Sequence, residues 1–208
     1  MPAVTNFDYL GWMAKFNRQI DDIEEFKTRL GHFTATHNWI QEHNASGANW
    51  KAGHNQFSDW SQAEYEAILG RKGDREQARP SAMFPESTSE FINWLEKGAV
   101  TDVKDQGKCG SCWAFSTTGS LEGAHYVETG ELVSFSEQQL IDCNNRVHSY
   151  RNMGCQGGLQ SDAYQYYMDG NNPALESDYP YWSGGTGVKQ VCNFSESIAS
   201  LVAVQTFV

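Results

Sequence analysis

The sequence predicts an α+β protein with two parts, a helical N-terminal domain and a larger second domain rich in glycine and cysteine. Apolar residues repeat at three-to-four spacing through much of residues 7–70, which is typical of amphipathic helices. All five cysteines lie in the second half of the chain. A charged run with glycine and proline, at 71–82, separates the two parts. We therefore predict domains at 7–70 and 83–208, joined by an exposed linker where a processing protease would cut.

Composition excludes several classes of protein. The net charge is −11 and the pI about 4.9, which argues against nucleic acid or an anionic membrane as the natural partner. Aromatic residues make up 13% of the chain, too many for a disordered tail. No apolar run is long enough for a transmembrane helix. The start of the chain does not resemble a signal peptide, so we expect either a cytosolic protein or a start further upstream.

Two stripes of apolar residues predict the helices of the first domain. A shorter helix at Ser61–Leu69 is predicted from Ser61 as N-cap and Glu64 three residues on, a capping box. We expect Trp12 and Trp39 to belong to the core. The first stripe comprises Tyr9, Trp12, Met13, Phe16 and Ile20, and the second Ile23, Phe26, Leu30, Phe33, Trp39 and Ile40.

The first helix predicted in the second domain is a long one. This helix runs from Cys112 to about Thr129 and is ended by Gly130. Two shorter helices follow at about 136–144, with Ser136 as N-cap, and at about 159–168. Alternating Val and Ala predict a strand at Ile198–Val208.

The segment at 106–115 carries the clearest chemical signal. Cys112 is predicted at a helix N-terminus, where free backbone N–H groups and the helix dipole favour a thiolate, the form that acts as a nucleophile. The side-chain amide of Gln106 could donate toward the same point as the Cys112 N–H. Two such donors form an oxyanion hole for acyl transfer.

The same cysteines admit other interpretations. Cys109 and Cys112 form a CxxC pair, which could be a redox pair or half of a zinc site with Cys143 and Cys155. A redox CxxC normally follows a strand of a βαβ unit, and no such pattern precedes this one. A four-cysteine zinc site would leave Cys192 over. The residues alone favour the nucleophile and leave both alternatives open.

The segment Cys109-Gly110-Ser111-Cys112-Trp113 resembles the local signature of papain and the cathepsins. Gln106 stands where that family keeps its oxyanion-hole glutamine. Three downstream segments resemble the family in the same order, at 136–143, 154–159 and 179–181. The resemblance implies a papain-like two-lobed fold, of which this chain holds mainly the helical lobe. It also implies a cysteine-type endopeptidase that needs no metal or other cofactor.

The resemblance assigns roles to individual residues of the second domain. It implies disulfides Cys109–Cys155 and Cys143–Cys192, which leave Cys112 free. Catalysis is assigned to Cys112 and Gln106. Binding of the substrate is assigned to Gly157, Gly158, Leu159 and Trp113, with Leu159 in the wall of an apolar pocket.

The first domain resembles the inhibitory propeptide of cathepsin L-like enzymes, which implies a zymogen. Thr36 replaces the middle asparagine of the first of two propeptide patterns. Without the resemblance, Glu25 and Arg29 would be an ordinary i,i+4 surface pair. The first pattern is carried by Glu25, Arg29, Phe33, Ile40 and Asn44, and the second by Gly53, Asn55, Phe57 and Asp59.

The general base of such an enzyme is not found in this sequence. In the family, a histidine and an asparagine follow the cysteine by roughly 130–150 residues, more than the chain contains after Cys112. His125 lies 13 residues along the same helix, roughly 20 Å away at 1.5 Å per residue. His148 is expected to be a solvated loop residue. We therefore expect the base to lie beyond this chain, which would be inactive by itself.

Further expectations concern partners and compartment. Disulfides require an oxidising compartment, so a lysosomal, vacuolar or secreted protein is expected, a monomer that acts on proteins or peptides and holds its own propeptide in the cleft. Two sequons, at Asn44 and Asn193, are compatible with secretion. The alternatives are a catalytically dead fragment or propeptide-type inhibitor that binds cathepsin-like proteases, and a zinc-binding structural module.

Overall fold

A computed structural model of the chain describes residues 6–70, 91–200 and 202–205. The chain divides into two compact units, Met1–Glu66 and Ala67–Val208. The predicted linker at 71–82 lies outside the described residues. None of the helices within the described ranges combines the length and apolar character needed to cross a bilayer.

Over residues 6–66, the first unit is built on three helices. They are α1 (Asn6–Lys15), α2 (Ile23–Ala45) and α3 (Gln62–Ala67). Asp22 caps α2 by accepting a hydrogen bond from the backbone N–H of Glu25. Ser61 and Glu64 form the predicted capping box at α3, in which each side chain accepts from the other residue's backbone N–H. The helix ends at Ala67, two residues earlier than predicted.

An aromatic core joins α1 to α2. Phe33 of α2 is 2% exposed and contacts the rings of Tyr9 and Trp12 from α1. Phe16 and Ile20 pack against this cluster although they follow the end of α1. The first apolar stripe therefore predicts the core correctly and the length of the helix less well.

Trp39 is not in the core, which corrects the prediction. Its side chain is 52% exposed and stacks on His43 of the next turn. Each residue turns an α-helix by about 100°. Ile40 is buried on the same face as Phe33, so Trp39 lies about 100° away from that face.

Arg29 connects α2 to α3. Its guanidinium bonds to Glu25 at 2.8 Å and Glu64 at 2.7 Å, and the side chain is only 15% exposed. Burial raises the pKa of Glu64, but hydrogen bonds from Arg29 and Ser61 outweigh it and lower this pKa to about 2. Glu25 and Arg29 are therefore more than the surface pair that spacing alone would suggest.

Two further residues of the propeptide-like patterns fix the loop after α2. Both polar atoms of the Asn44 side chain bond to the backbone of Ala52. The Asp59 carboxylate accepts from the hydroxyl of Tyr9 at 2.9 Å and from Arg18 at 3.1 Å. These contacts close the loop onto the helices at both of its ends.

The second unit contains the predicted helices. They are α4 (Cys112–Thr129), α5 (Glu137–Cys143), α6 (Gln160–Met168) and the short α7 (Ser183–Thr186). Gly130 ends α4 in the left-handed conformation, with φ of 78°. Ser136 caps α5 as predicted. Short 3-10 helices lie at Arg146–His148, Gly154–Gln156 and Glu196–Ile198.

The core of the second unit lies where α4 packs on α5 and α6. Disulfides Cys109–Cys155 and Cys143–Cys192 connect distant parts of the chain to this core, in the pairing that the resemblance implies. Its buried residues include Trp113, Ala114, Leu140, Ile141, Ala163, Tyr166 and Tyr167.

The predicted strand at Ile198–Val208 is wrong over the described part of that segment. Residues 196–198 form a 3-10 helix, and 202–205 have no regular structure. Ala199 forms one isolated antiparallel bridge with Ala174. A strand requires a ladder of several such pairs, and the alternating pattern of Val and Ala does not supply one.

Candidate active site

Cys112 is the first residue of α4 and is half-buried. All five cysteines are described, and Cys112 alone has a free thiol. Because Cys109 is bonded to Cys155, it cannot form a redox pair with Cys112. The described ranges also hold no group of three or more His, Cys, Asp or Glu able to bind a metal. The geometry thus favours a lone thiol at a helix N-terminus.

The Gln106 side chain is already used as a donor. Its amide Nε2 donates to the carbonyl oxygen of Cys109 at 2.8 Å and to that of Ile68 at 3.0 Å. The first bond fixes the orientation of the amide. The second shows that its remaining N–H can hold the carbonyl oxygen of a peptide, the type of acceptor predicted for this glutamine.

Tyr181 supports the segment that carries Gln106. Its hydroxyl donates to the Gln106 backbone carbonyl at 2.6 Å and lies 3.0 Å from the Ser111 hydroxyl. Ser111 directly precedes Cys112, so one phenol contacts the backbone of Gln106 and the side chain of the residue next to the nucleophile. Burial, the largest effect, raises the pKa of Tyr181 to about 12, which keeps the phenol neutral and able to donate.

Gly107 allows a close approach in the same segment. Its φ is 59°, in the left-handed region. A Cβ atom at this position would lie 2.4 Å from the carbonyl oxygen of Gly184. The backbone N–H of Lys108 donates to the same oxygen at 2.8 Å. Gly107 therefore lets the loop around Gly184 hold the Gln106 segment in place.

The glycine loop at 157–159 offers a backbone donor to the same cleft. The N–H of Gly158 donates to the carbonyl oxygen of Gly70 at 2.7 Å. Leu159, the predicted pocket residue, is half-buried. A Cβ atom on Gly158 would lie 2.4 Å from Asn152 Oδ1 and 2.8 Å from the ring of Trp113, so only glycine fits there.

Trp113 is a supporting residue, which corrects its assignment to substrate binding. Its side chain is fully buried, and the indole N–H donates to the carbonyl oxygen of Gly154 at 3.1 Å. A fully buried ring has no surface to offer a substrate. It lies instead against Gly158 and supports the glycine loop.

Asn152 was not predicted from the sequence. Its Oδ1 accepts from the Leu159 backbone N–H at 2.7 Å, and its Nδ2 donates to the Leu159 carbonyl and to Asn144 Oδ1. The side chain is 1% exposed. An asparagine in a polar loop carries no sequence signal for such a role, because the polar atoms that it bonds belong to backbone and to another amide.

Replacing Asn152 with alanine is expected to loosen the glycine loop. The change leaves the backbone N–H of Leu159 without its buried acceptor, at a cost of about 1–3 kcal/mol. Hydrogen exchange at the Leu159 amide should accelerate by roughly 10- to 100-fold. Unchanged exchange at Leu159 would show that Asn152 does not hold the loop. Asn171→Ala, which removes an amide from another loop of the same unit, is the control.

Residues 68–70 occupy the two donors described above. The carbonyls of Ile68 and Gly70 accept from Gln106 and Gly158. Ile68 is 8% exposed, whereas the intervening Leu69 is 49% exposed. This short segment thus presents two backbone carbonyls to Gln106 and Gly158, as a bound peptide would.

The second unit contains two histidines, His125 and His148. His125 lies far along α4 and packs against Phe135. His148 is exposed in the 3-10 helix Arg146–His148. The sequence contains no histidine after His148.

Comparison with known proteins identifies the family. Residues 88–208 match the family model described as papain family cysteine protease. Residues 9–65 match the cathepsin propeptide inhibitor domain. Digestive cysteine proteinase 1 of Homarus americanus is 43% identical over 86% of this chain and 57% of its own length. Cysteine proteinase 5 of Dictyostelium discoideum is 41% identical over 83% of this chain and 50% of its own length.

Solved structures agree in fold with this assignment. A digestive procathepsin L 3 from Tenebrio molitor larval midgut matches with a TM-score of 0.78 and 30% identity, over 96% of this chain and 64% of that one. A recombinant stem bromelain precursor matches with a TM-score of 0.77 and 27% identity, over 95% and 62%. The chain spans about half the length of the curated relatives that it matches. It belongs to the papain family of cysteine proteases and carries that family's cathepsin propeptide inhibitor domain before the peptidase region.

Proposed function

We propose that this chain is part of a cysteine endopeptidase zymogen in which Cys112 is the nucleophile. The observation that carries the proposal is the free thiol at the start of α4, in a unit whose Gln106 and Gly158 already hold peptide carbonyls. A thiolate at a helix N-terminus with an amide donor beside it is suited to acyl transfer.

The proposed reaction follows from these groups. The Cys112 sulfur attacks the peptide carbonyl carbon, and the resulting oxyanion is held by the Cys112 N–H and the Gln106 amide. Collapse breaks the C–N bond and leaves a thioester, which water hydrolyses. A histidine outside these 208 residues takes the thiol proton and returns it to the leaving amine. Gly157 and Gly158 bind the substrate backbone, and Leu159 lines an apolar pocket.

The N-terminal part would act as the inhibitor of this site. We propose residues 7–70 as the propeptide, 71–82 as the processing region and 83–208 as the peptidase part. The contacts of residues 68–70 with Gln106 and Gly158 support this division, since they use groups that a substrate needs. The proposed protein is a monomer of a lysosomal, vacuolar or secreted compartment that cleaves proteins or peptides.

Labelling of Cys112 tests the proposal. The chain is incubated at pH 5.5 with a leucine-containing peptidyl epoxide, which requires both a thiolate and an adjoining peptide groove. The adduct is located by mass spectrometry. We expect labelling at Cys112 and none in Cys112→Ala. It should be slow in the wild type, because residues 68–70 occupy the groove.

A small alkylating agent provides the control for access. If iodoacetamide modifies Cys112 in the folded chain but the peptidyl epoxide does not, even after residues 68–70 are displaced by substitution, the groove does not function as proposed. Comparable epoxide labelling of the chain unfolded in urea would show general thiol reactivity and would also contradict the proposal.

A further inference from the structure

The two sequons of the chain stand in different structural settings. One begins at Asn44 and the other at Asn193, and each has the serine that N-glycosylation requires two residues on, at Ser46 and Ser195. In a glycosylated asparagine, a sugar carbon is bonded to the side-chain amide nitrogen. The surroundings of that nitrogen therefore decide which of the two asparagines can carry a glycan in the folded protein.

The Asn44 amide is already paired with backbone. Its Nδ2 donates to the Ala52 carbonyl oxygen at 2.9 Å, and its Oδ1 accepts from the Ala52 N–H at 2.8 Å. Because both bonds go to one residue, they use the N–H that lies on the same side of the amide as Oδ1. Asn44 also lies in the last turn of α2, and the hydroxyl of Ser46 donates to the His43 carbonyl oxygen at 2.7 Å.

A glycan on Asn44 would break this pairing with Ala52. A secondary amide prefers the trans form, as a peptide bond does, so C1 of the sugar is bonded to Nδ2 on the side of Oδ1. The proton that now binds the Ala52 carbonyl oxygen occupies that place. Loss of the two hydrogen bonds shifts the equilibrium of the loop by roughly 30-fold toward the open form. The folded first unit therefore disfavours a glycan at Asn44.

Asn193 is free of these constraints. The residue is exposed and lies in a segment without regular structure, directly after Cys192 of the disulfide to Cys143. Its backbone N–H donates to the Tyr179 hydroxyl at 3.1 Å, whereas no hydrogen bond within the described residues engages its side-chain amide. The disulfide and Tyr179 thus hold the backbone in place while the amide nitrogen stays available.

The surface beside Asn193 leaves room for a sugar. A groove of about 290 Å³ adjoins the residue, with Tyr179, Trp182 and Val191 in its lining. Val191 is 76% exposed. The C–H faces of a first sugar on Asn193 can lie against these aromatic and apolar side chains. Ser195, whose hydroxyl completes the sequon, is exposed as well.

We propose that Asn193 is an N-glycosylation site of this protein and that Asn44 carries no glycan in the folded chain. In the transfer, Nδ2 of Asn193 attacks C1 of the first N-acetylglucosamine of a lipid-linked oligosaccharide pyrophosphate. The N–C bond forms, the C1–O bond breaks, the lipid pyrophosphate leaves with the electron pair, and Nδ2 gives up one of its two protons. Such a donor is met in the secretory pathway, so the proposal rests on the compartment of the proposed function and not on the reactivity of Cys112.

Secretion of the 208-residue chain from insect cells, behind a cleavable leader, tests the site. A glycosidase that converts a glycosylated asparagine into aspartate marks each modified position of the secreted protein for mass spectrometry. We expect the mark at Asn193, with at least about tenfold lower occupancy at Asn44. Ser195→Ala keeps Asn193 but removes the required hydroxyl and should abolish this glycan, whereas Ser195→Thr should retain it. Ser46→Ala, the matched change in the other sequon, should leave glycosylation as in the wild type.

A second measurement keeps the test decisive where secretion fails. In cell-free translation with endoplasmic-reticulum microsomes, Ser195→Ala should migrate faster than the wild type by one glycan, whether or not the chain folds. Equal mobility overturns the site, as does a secreted, folded chain with comparable occupancy at Asn44 and Asn193. Neither readout uses the thiol. Epoxide labelling of Cys112 without a glycan at Asn193 would refute only this site, and a glycan without labelling would refute only the proposed catalytic function.

Discussion

Replacing Gly70 with alanine is expected to release residues 68–70 from the cleft. A Cβ atom on Gly70 would lie 1.9 Å from the backbone carbonyl oxygen of Gly110, a contact that no side-chain movement relieves. The release costs the hydrogen bonds from Gly158 to Gly70 and from Gln106 to Ile68. Each of these bonds stabilises the occupied cleft by about 1 kcal/mol. If the substitution prevents both, the occupied state loses about 2 kcal/mol, which shifts the equilibrium roughly 30-fold toward the open cleft.

Two measurements follow this release. Hydrogen exchange at the Gly158 amide should accelerate by roughly 30-fold, and epoxide labelling of Cys112 should rise in parallel. Gly119→Ala is the matched control, because a Cβ atom on Gly119 in α4 meets nothing within 4 Å. If the Gly158 amide stays as protected in Gly70→Ala as in the wild type, residues 68–70 do not cover it in solution.

The nucleophile helix could be predicted from the sequence because its signals are local. Gly130 ends α4 and Ser136 caps α5 through contacts within a few residues, so the sequence pattern contains them. The free state of Cys112 depended on the pairing of four other cysteines. The odd count required one free thiol or more, the residues around Cys112 favoured this one, and the family resemblance indicated how the other four pair.

Other parts of the site depend on contacts between distant residues. Trp113 follows the nucleophile directly, yet the direction of a side chain at a helix start depends on what packs against it, and Gly154 takes its N–H. Asn152 and Tyr181 act on backbone groups of Leu159 and Gln106. Any residue has such groups, so no motif marks these partners.

A buried ion cluster under α4 provides the second large expected effect. The Lys104 ammonium bonds to Glu122 and Glu137 at 2.7 Å each, and the two carboxylate side chains are only 2% and 1% exposed. Burial alone would lower the pKa of Lys104, but these bonds raise it above the usual value. Burial raises the pKa of Glu137, although its bonds to Lys104 and Thr118 oppose the change.

Lys104→Met is expected to destabilise the second unit by about 3–5 kcal/mol at pH 7.5, because it leaves two buried carboxylates without their cation. Urea unfolding, followed by the reactivity of the Cys112 thiol, measures this unit separately from the first. Lys108→Met, at an exposed lysine, should have little effect and serves as the control.

The pH dependence of this loss of stability distinguishes an effect of uncompensated buried charge from an effect of lost side-chain packing. In Lys104→Met, the folded-state pKa of Glu137 must rise further, because the ammonium no longer opposes the effect of burial. The folded form then binds more protons than the unfolded form, so stability relative to the wild type recovers as pH falls toward 4.5. Glu137→Gln added to Lys104→Met should recover part of the loss at pH 7.5, since it removes one uncompensated charge. A deficit that is equal at both pH values and unaffected by Glu137→Gln would mean that Lys104 stabilises the unit through its methylene packing, and that the two glutamates do not depend on its charge.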